Sequence, residues 1–103
     1  MAIGLATASG VDSFATGRGA VAEGIGSAAF GTNTKASGSN SFVMGTSNTT
    51  ATSSCSVAIG QGCQAHGNYS LSLGYHTQTA SEGYSVSSTV ALGYVTTAKD
   101  GTG

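Results

Sequence analysis

Val57-Ala58-Ile59-Gly60-Gln61-Gly62-Cys63-Gln64-Ala65-His66-Gly67-Asn68-Tyr69-Ser70-Leu71-Ser72-Leu73-Gly74 contains the plan of the whole chain. Ala58, Ala65 and Ser72 stand at intervals of seven, and Gly60, Gly67 and Gly74 each follow two residues later. Extended in both directions, this spacing collects twelve of the fifteen alanines: Ala2, Ala8, Ala15, Ala22, Ala29, Ala36, Ala51, Ala58, Ala65, Ala80, Ala91 and Ala98. Val43 and Ser72 fill the two vacant rungs. A short run closed by glycine reads as a strand and its turn. Repeated along the chain at one period, it reads as a solenoid.

The residues on either side of each rung carry a second period, twice as long. One set of strands is flanked by Met1/Ile3, Phe14/Thr16, Ala28/Phe30, Phe42/Met44, Val57/Ile59, Leu71/Leu73 and Val90/Leu92, apolar everywhere except at Thr16. The alternate set has Thr7/Ser9, Val21/Glu23, Lys35/Ser37, Thr50/Thr52, Gln64/His66, Thr79/Ser81 and Thr97/Lys99, polar everywhere except at Val21. Successive strand side chains point to opposite faces, so a rung and its flanks cannot share a face. Two strands therefore make one coil of about fourteen residues. With the flanks inside, Glu23, Lys35, Gln64, His66 and Lys99 would sit in a narrow interior at several kcal/mol each. The alanines, among them Ala15, Ala22, Ala29, Ala36, Ala58, Ala65 and Ala91, are therefore the expected interior. One outer face is then polar. The other exposes a stripe of Ile3, Phe14, Phe30, Phe42, Met44, Val57, Ile59, Leu71, Leu73, Val90 and Leu92. A stripe of that extent marks a contact surface, and these residues are the expected subunit interface.

The chain has 103 residues, 7% of them charged, and a formal net charge of −1. That length suits one domain spanning residues 1–103, read as a segment of a longer fibrous protein. No basic footprint for nucleic acid exists, and no long apolar run for membrane insertion. Proline is absent and glycine follows no Gly-X-Y triplet, which excludes collagen.

Ser56-Val57-Ala58-Ile59-Gly60, Ser41-Phe42-Val43-Met44-Gly45, Ser70-Leu71-Ser72-Leu73-Gly74 and Thr89-Val90-Ala91-Leu92-Gly93 resemble the SVAIG-type repeat of YadA-like trimeric autotransporter adhesin heads. The resemblance covers nearly the whole chain. It implies an all-β, left-handed parallel β-roll, three copies of which pack around a threefold axis with the apolar strands inward. It also implies an extracellular place on a bacterial surface and attachment to a host surface protein, matrix or glycan. Similar repeats occur in trimeric virus and phage fibres. The residues alone argue for an oligomer; the homotrimer comes from the resemblance.

Departures from the period are expected to bulge. One extra residue falls near Thr46 to Ser54, another near Tyr75 to Gln78, and the longest insertion between Ala80 and Ala91. Tyr75, Tyr84 and Tyr94 each follow a glycine and, with Tyr69, are expected along the turn edges. They are candidate ligand contacts, because tyrosine offers area and a hydroxyl at low entropic cost. The alternative is a ladder of edge residues shielding the turns. Cys55 and Cys63 form no CxxC and have no zinc spacing to His66 or His76. Cys63 stands where other repeats carry Ser, Thr or Ala and is expected as a small inward filler; Cys55 sits in a turn beside an inserted residue. Adhesin passengers of the resembling kind rarely carry cysteine, which shifts weight toward a viral or phage fibre.

Nothing in the chain announces catalysis, a metal or a cofactor. Asp12, Glu23, Glu82 and Asp100 are scattered in the repeat frame, and Gly17-Arg18-Gly19, Gly24-Ile25-Gly26 and Gly60-Gln61-Gly62 lack the strand-to-helix setting of a phosphate loop. The expected role is a non-enzymatic fibre or adhesin-head module, with a structural virus or phage fibre segment as the alternative. An ice-binding solenoid ranks third, since Val21, Glu23, Lys35, Gln64, His66 and Lys99 break any threonine array on the polar sheet.

Overall fold

A computed structural model describes residues 1–79 and 89–98. Its strands in chain order are β1 (Ala2–Ile3), β2 (Thr7–Ala8), β3 (Phe14–Thr16), β4 (Val21–Ala22), β5 (Ala28–Gly31), β6 (Lys35–Ala36), β7 (Phe42–Thr46), β8 (Thr50–Ala51), β9 (Val57–Gln61), β10 (Gln64–Ala65), β11 (Leu71–Tyr75), β12 (Gln78–Thr79), β13 (Val90–Tyr94) and β14 (Thr97–Ala98). Odd-numbered strands form one seven-stranded sheet and even-numbered strands the other, each in simple serial order. All pairings are parallel. The chain is thus an all-β, two-sheet parallel solenoid, 36 Å along its longest direction.

The ladder is legible in the register. In the first sheet Ala15, Ala29, Val43, Ala58, Ser72 and Ala91 stack in turn. In the second, Ala22, Ala36, Ala51, Ala65 and Thr79 do the same. Ala15, Ala22, Ala29, Ala36, Ala58 and Ala65 are wholly buried and Ala91 nearly so. Ala2 and Ala8, in the first coil, are less covered.

Three expectations need correction. Thr79, not Ala80, pairs with Ala65, and Gln78 is the flank that pairs with Gln64. The step from Ser72 is therefore the ordinary seven, and no residue is inserted between Tyr75 and Gln78. Threonine and alanine both fit a narrow interior, so composition did not distinguish them; the stacked hydrogen bonds did. The extra residue between Thr46 and Ser54 lies at the corner, where Ser47 and Asn48 are both left-handed (φ 58° and 65°). Cys55 is eight residues away, so it is not beside the insertion. The long connection falls on residues 80–88, outside the described residues, and β11 still pairs with β13 across it, Leu71 opposite Val90.

Alanine does not fill the interior alone. The corner entering the first sheet contributes a buried column of Ser13, Ser27, Ser41, Ser56, Ser70 and Thr89. The corner leaving it contributes Ala20, Thr34, Thr49, Cys63 and Thr77. A buried hydroxyl is costly without a partner. Backbone carbonyls of the tight corners serve three of them: Ser13, Ser56 and Ser70 donate to Gly10, Ser53 and Gly67, each three residues back, at 2.6, 2.6 and 2.5 Å, whereas the hydroxyls of Ser27, Thr34, Ser41 and Thr89 have no hydrogen-bond partner among the described residues. Each corner also needs a left-handed residue, supplied at one by Asp12, Asn40, Cys55 and Tyr69 and at the other by Asn33, Asn48, His76 and Val95. Asn and Asp tolerate that conformation; a β-branched valine does so only under strain.

Ala65 and His66 are adjacent and face opposite ways, which makes them a test of this interior. Leucine at 65 would force extra methylenes between the sheets and is expected to cost about 1 to 3 kcal/mol in each chain. His66 is half-buried on the outer polar face, and His66→Leu is expected to shift the thermal midpoint little. Ala65→Ser should be milder than Ala65→Leu, because Ser72 already occupies a rung. Melting curves that rank the two leucine variants the other way would reverse inside and outside.

Candidate functional site

The outer face of the first sheet is the largest feature. Ile3, Met44, Val90 and Leu92 are exposed, Leu92 by 57%, while Phe14, Phe30, Phe42, Val57, Ile59, Leu71 and Leu73 are half-buried against one another. Ala28 leaves a gap between Phe14 and Phe42, and Phe30 closes it from the neighbouring column. Ring centroids of Phe14 and Phe30 are 5.3 Å apart, and those of Phe30 and Phe42 are 5.5 Å apart. These separations lie within the range of favourable aromatic contact. The three phenylalanines therefore form a packed cluster within the stripe rather than scattered apolar side chains.

The second sheet presents a different surface. Lys35 Nζ lies 3.1 Å from Glu23 Oε1, the two side chains being about half-exposed. Farther along, Thr52 Oγ1 is 2.8 Å from His66 Nδ1, and His66 Nε2 is 3.3 Å from Gln64 Oε1. Lys35 with Glu23 and Thr52 with His66 pair across the strands and Gln64 with His66 along one, as expected of a hydrated face.

Tyr75 and Tyr94 end β11 and β13 and pair in register. Their rings stack at 4.9 Å with planes 9° apart, and His76 meets Tyr75 edge-on at 4.2 Å. Tyr94 is 74% exposed, so the ladder has an open side. Tyr69 stands at the opposite corner, and Tyr84 lies outside the described residues. The candidate ligand contacts thus divide between two edges, with Tyr75 and Tyr94 brought together.

Both cysteines are free thiols. Cys63 is buried, its Sγ 3.1 Å from Gly74 O and 3.3 Å from Ile59 O, while Thr77 Oγ1 lies 3.2 Å from the sulfur. It takes the place that threonine takes in neighbouring coils. Among the described residues no group of three or more His, Cys, Asp or Glu is placed to hold a metal ion. Among them, too, no helix is long and apolar enough to cross a membrane.

Sequence reasoning missed the serine and threonine columns and the pairing of Tyr75 with Tyr94. The signal for the first was present: Ser13, Ser27, Ser41, Ser56 and Ser70 each precede an odd-numbered strand by one residue.

A serially wound, two-sheet solenoid with a small-residue interior, one apolar face and one polar face defines a structural repeat protein. The YadA head domain repeat matches this chain twice, over residues 22–48 and 51–77, which together make up just over half of it. The chain belongs to the YadA head family, whose repeats build the heads of trimeric autotransporter adhesins. No curated protein and no solved structure matches it.

Proposed function

We propose that this chain is a rigid, non-enzymatic head module in which three copies pack through the outer face of the first sheet and display an attachment surface outside the cell. The apolar stripe carries the reading. In a single chain it would leave Ile3, Met44, Val90 and Leu92 in water, and three copies facing one axis would remove it from solvent without any further partner. Family membership supports the number three.

Tyr75 and Tyr94, and Tyr84 in the long connection, are the proposed contacts for a host surface protein, matrix component or glycan. A structural segment of a virus or phage fibre is the second reading. The thiols of Cys55 and Cys63 favour it, because a fibre assembled in a reducing cytoplasm keeps its cysteines free. In either setting the assembly is the same.

Light scattering of the folded, soluble protein is expected to give three chain masses, about 30 kDa from the 9.9 kDa chain. A stable monomer at micromolar concentration would overturn the reading.

A further inference from the structure

Asp12 and Arg18 flank β3 in one coil. Asp12 occupies the corner where the chain enters the first sheet, and Arg18 the corner where it leaves. Both are exposed. Among the described residues the only ion pair is Lys35–Glu23, so neither Asp12 nor Arg18 has a charge partner there. The strand between them, at about 3.3 Å per residue, holds the two on opposite edges of the sheet.

Parallel chains arranged around one axis set the exit edge of each first sheet against the entry edge of the next, a heterologous contact that closes on itself. Residues of one coil share one height along that axis. Resting on the trimer reading, we propose that Arg18 of each subunit pairs with Asp12 of its neighbour, closing a ring of ion pairs that sets the axial register of the three chains.

The stripe cannot set that register unaided. Its coils repeat about every 4.8 Å with interchangeable apolar side chains, so a slip by one coil preserves most of the contact. Charge does not tolerate the slip. The next coil carries Gly26 at the position of Asp12 and Thr32 at the position of Arg18, both neutral. A displaced subunit would break two of the three pairs, leaving two arginines and two aspartates without their opposite charge.

Two measurements test the pair. In the first, Asp12→Cys and Arg18→Cys are combined with Cys55→Ser, and the protein is treated with a bismaleimide long enough to span an arginine–aspartate pair, a separation a direct disulfide does not bridge. Covalent trimers on a denaturing gel are expected. A trimer by light scattering that yields no cross-linked species would overturn the pairing and leave the trimer standing; a monomer would overturn both. In the second, Asp12→Asn, Arg18→Gln and their combination are melted at low and high salt. Asparagine suits the left-handed backbone of Asp12 (φ 57°), so the substitution removes charge without straining the corner. Each single variant is expected to lower the midpoint and reduce its salt dependence, and the combination to be no worse than either alone. Losses that add, or no loss at all, would overturn the pair.

Discussion

Gly60→Ala is expected to lower the thermal midpoint far more than Gly4→Ala, although both glycines have a left-handed backbone (φ 133° and 86°). The conformational cost of a Cβ at positive φ is about 1 to 2 kcal/mol and applies to both. Space separates them. A Cβ on Gly60 would lie 1.9 Å from the carbonyl oxygen of Gly74 and 2.9 Å from Cys63 Sγ. The first contact is backbone in the next coil, so no side chain can swing away to relieve it, and the ladder between β9 and β11 must open. At Gly4 the nearest atom is 3.5 Å away, an ordinary contact. A total of about 4 kcal/mol or more at Gly60 corresponds to a drop of well over 10 °C for a domain of this size. Circular dichroism melts of the two variants against the parent check it. Equal losses would show that stacking of coils is not the limit on these corners.

Ile59→Lys should abolish assembly while Gln64→Lys leaves it nearly unchanged. Both residues are half-buried and lie in consecutive strands, one on each sheet. In the proposed trimer an ammonium on the apolar face would be buried against the same residue of two symmetry mates, at about 3 to 5 kcal/mol for each uncompensated charge. On the polar face Gln64 gives up one 3.3 Å contact with His66 in a hydrated setting, and a lysine there reaches water. Sedimentation velocity distinguishes the outcomes. An Ile59→Lys protein that still forms trimers would show that the stripe is not the interface, whereas a Gln64→Lys protein that falls apart would show that the polar sheet is.

The seven-residue ladder and the doubled period were legible because side-chain alternation along a strand is a local rule. Ala58 and its flanks Val57 and Ile59 declare opposite faces within three residues, and no knowledge of the neighbouring coil is needed. The choice between Thr79 and Ala80 was not local. Either residue suits a narrow interior, and the register follows only once Gln78 lies over Gln64 and the corner Tyr75-His76-Thr77 repeats Gln61-Gly62-Cys63. The candidate ligand contacts were half legible: a tyrosine after a glycine marks a strand end, but the stacking of Tyr75 on Tyr94 bridges a connection much longer than the period.

By itself, the sequence determined that the fold is a solenoid, that small residues line its interior and that its two faces differ, since each property is written in residue type at fixed spacing. Tertiary structure decided what depends on the coil above. Thr79 took the rung because Gln78 lies over Gln64, and Tyr75 came to stack on Tyr94 because β11 pairs with β13. Both arise from stacking, which brings together residues of successive coils, and no period read along the chain contains that contact.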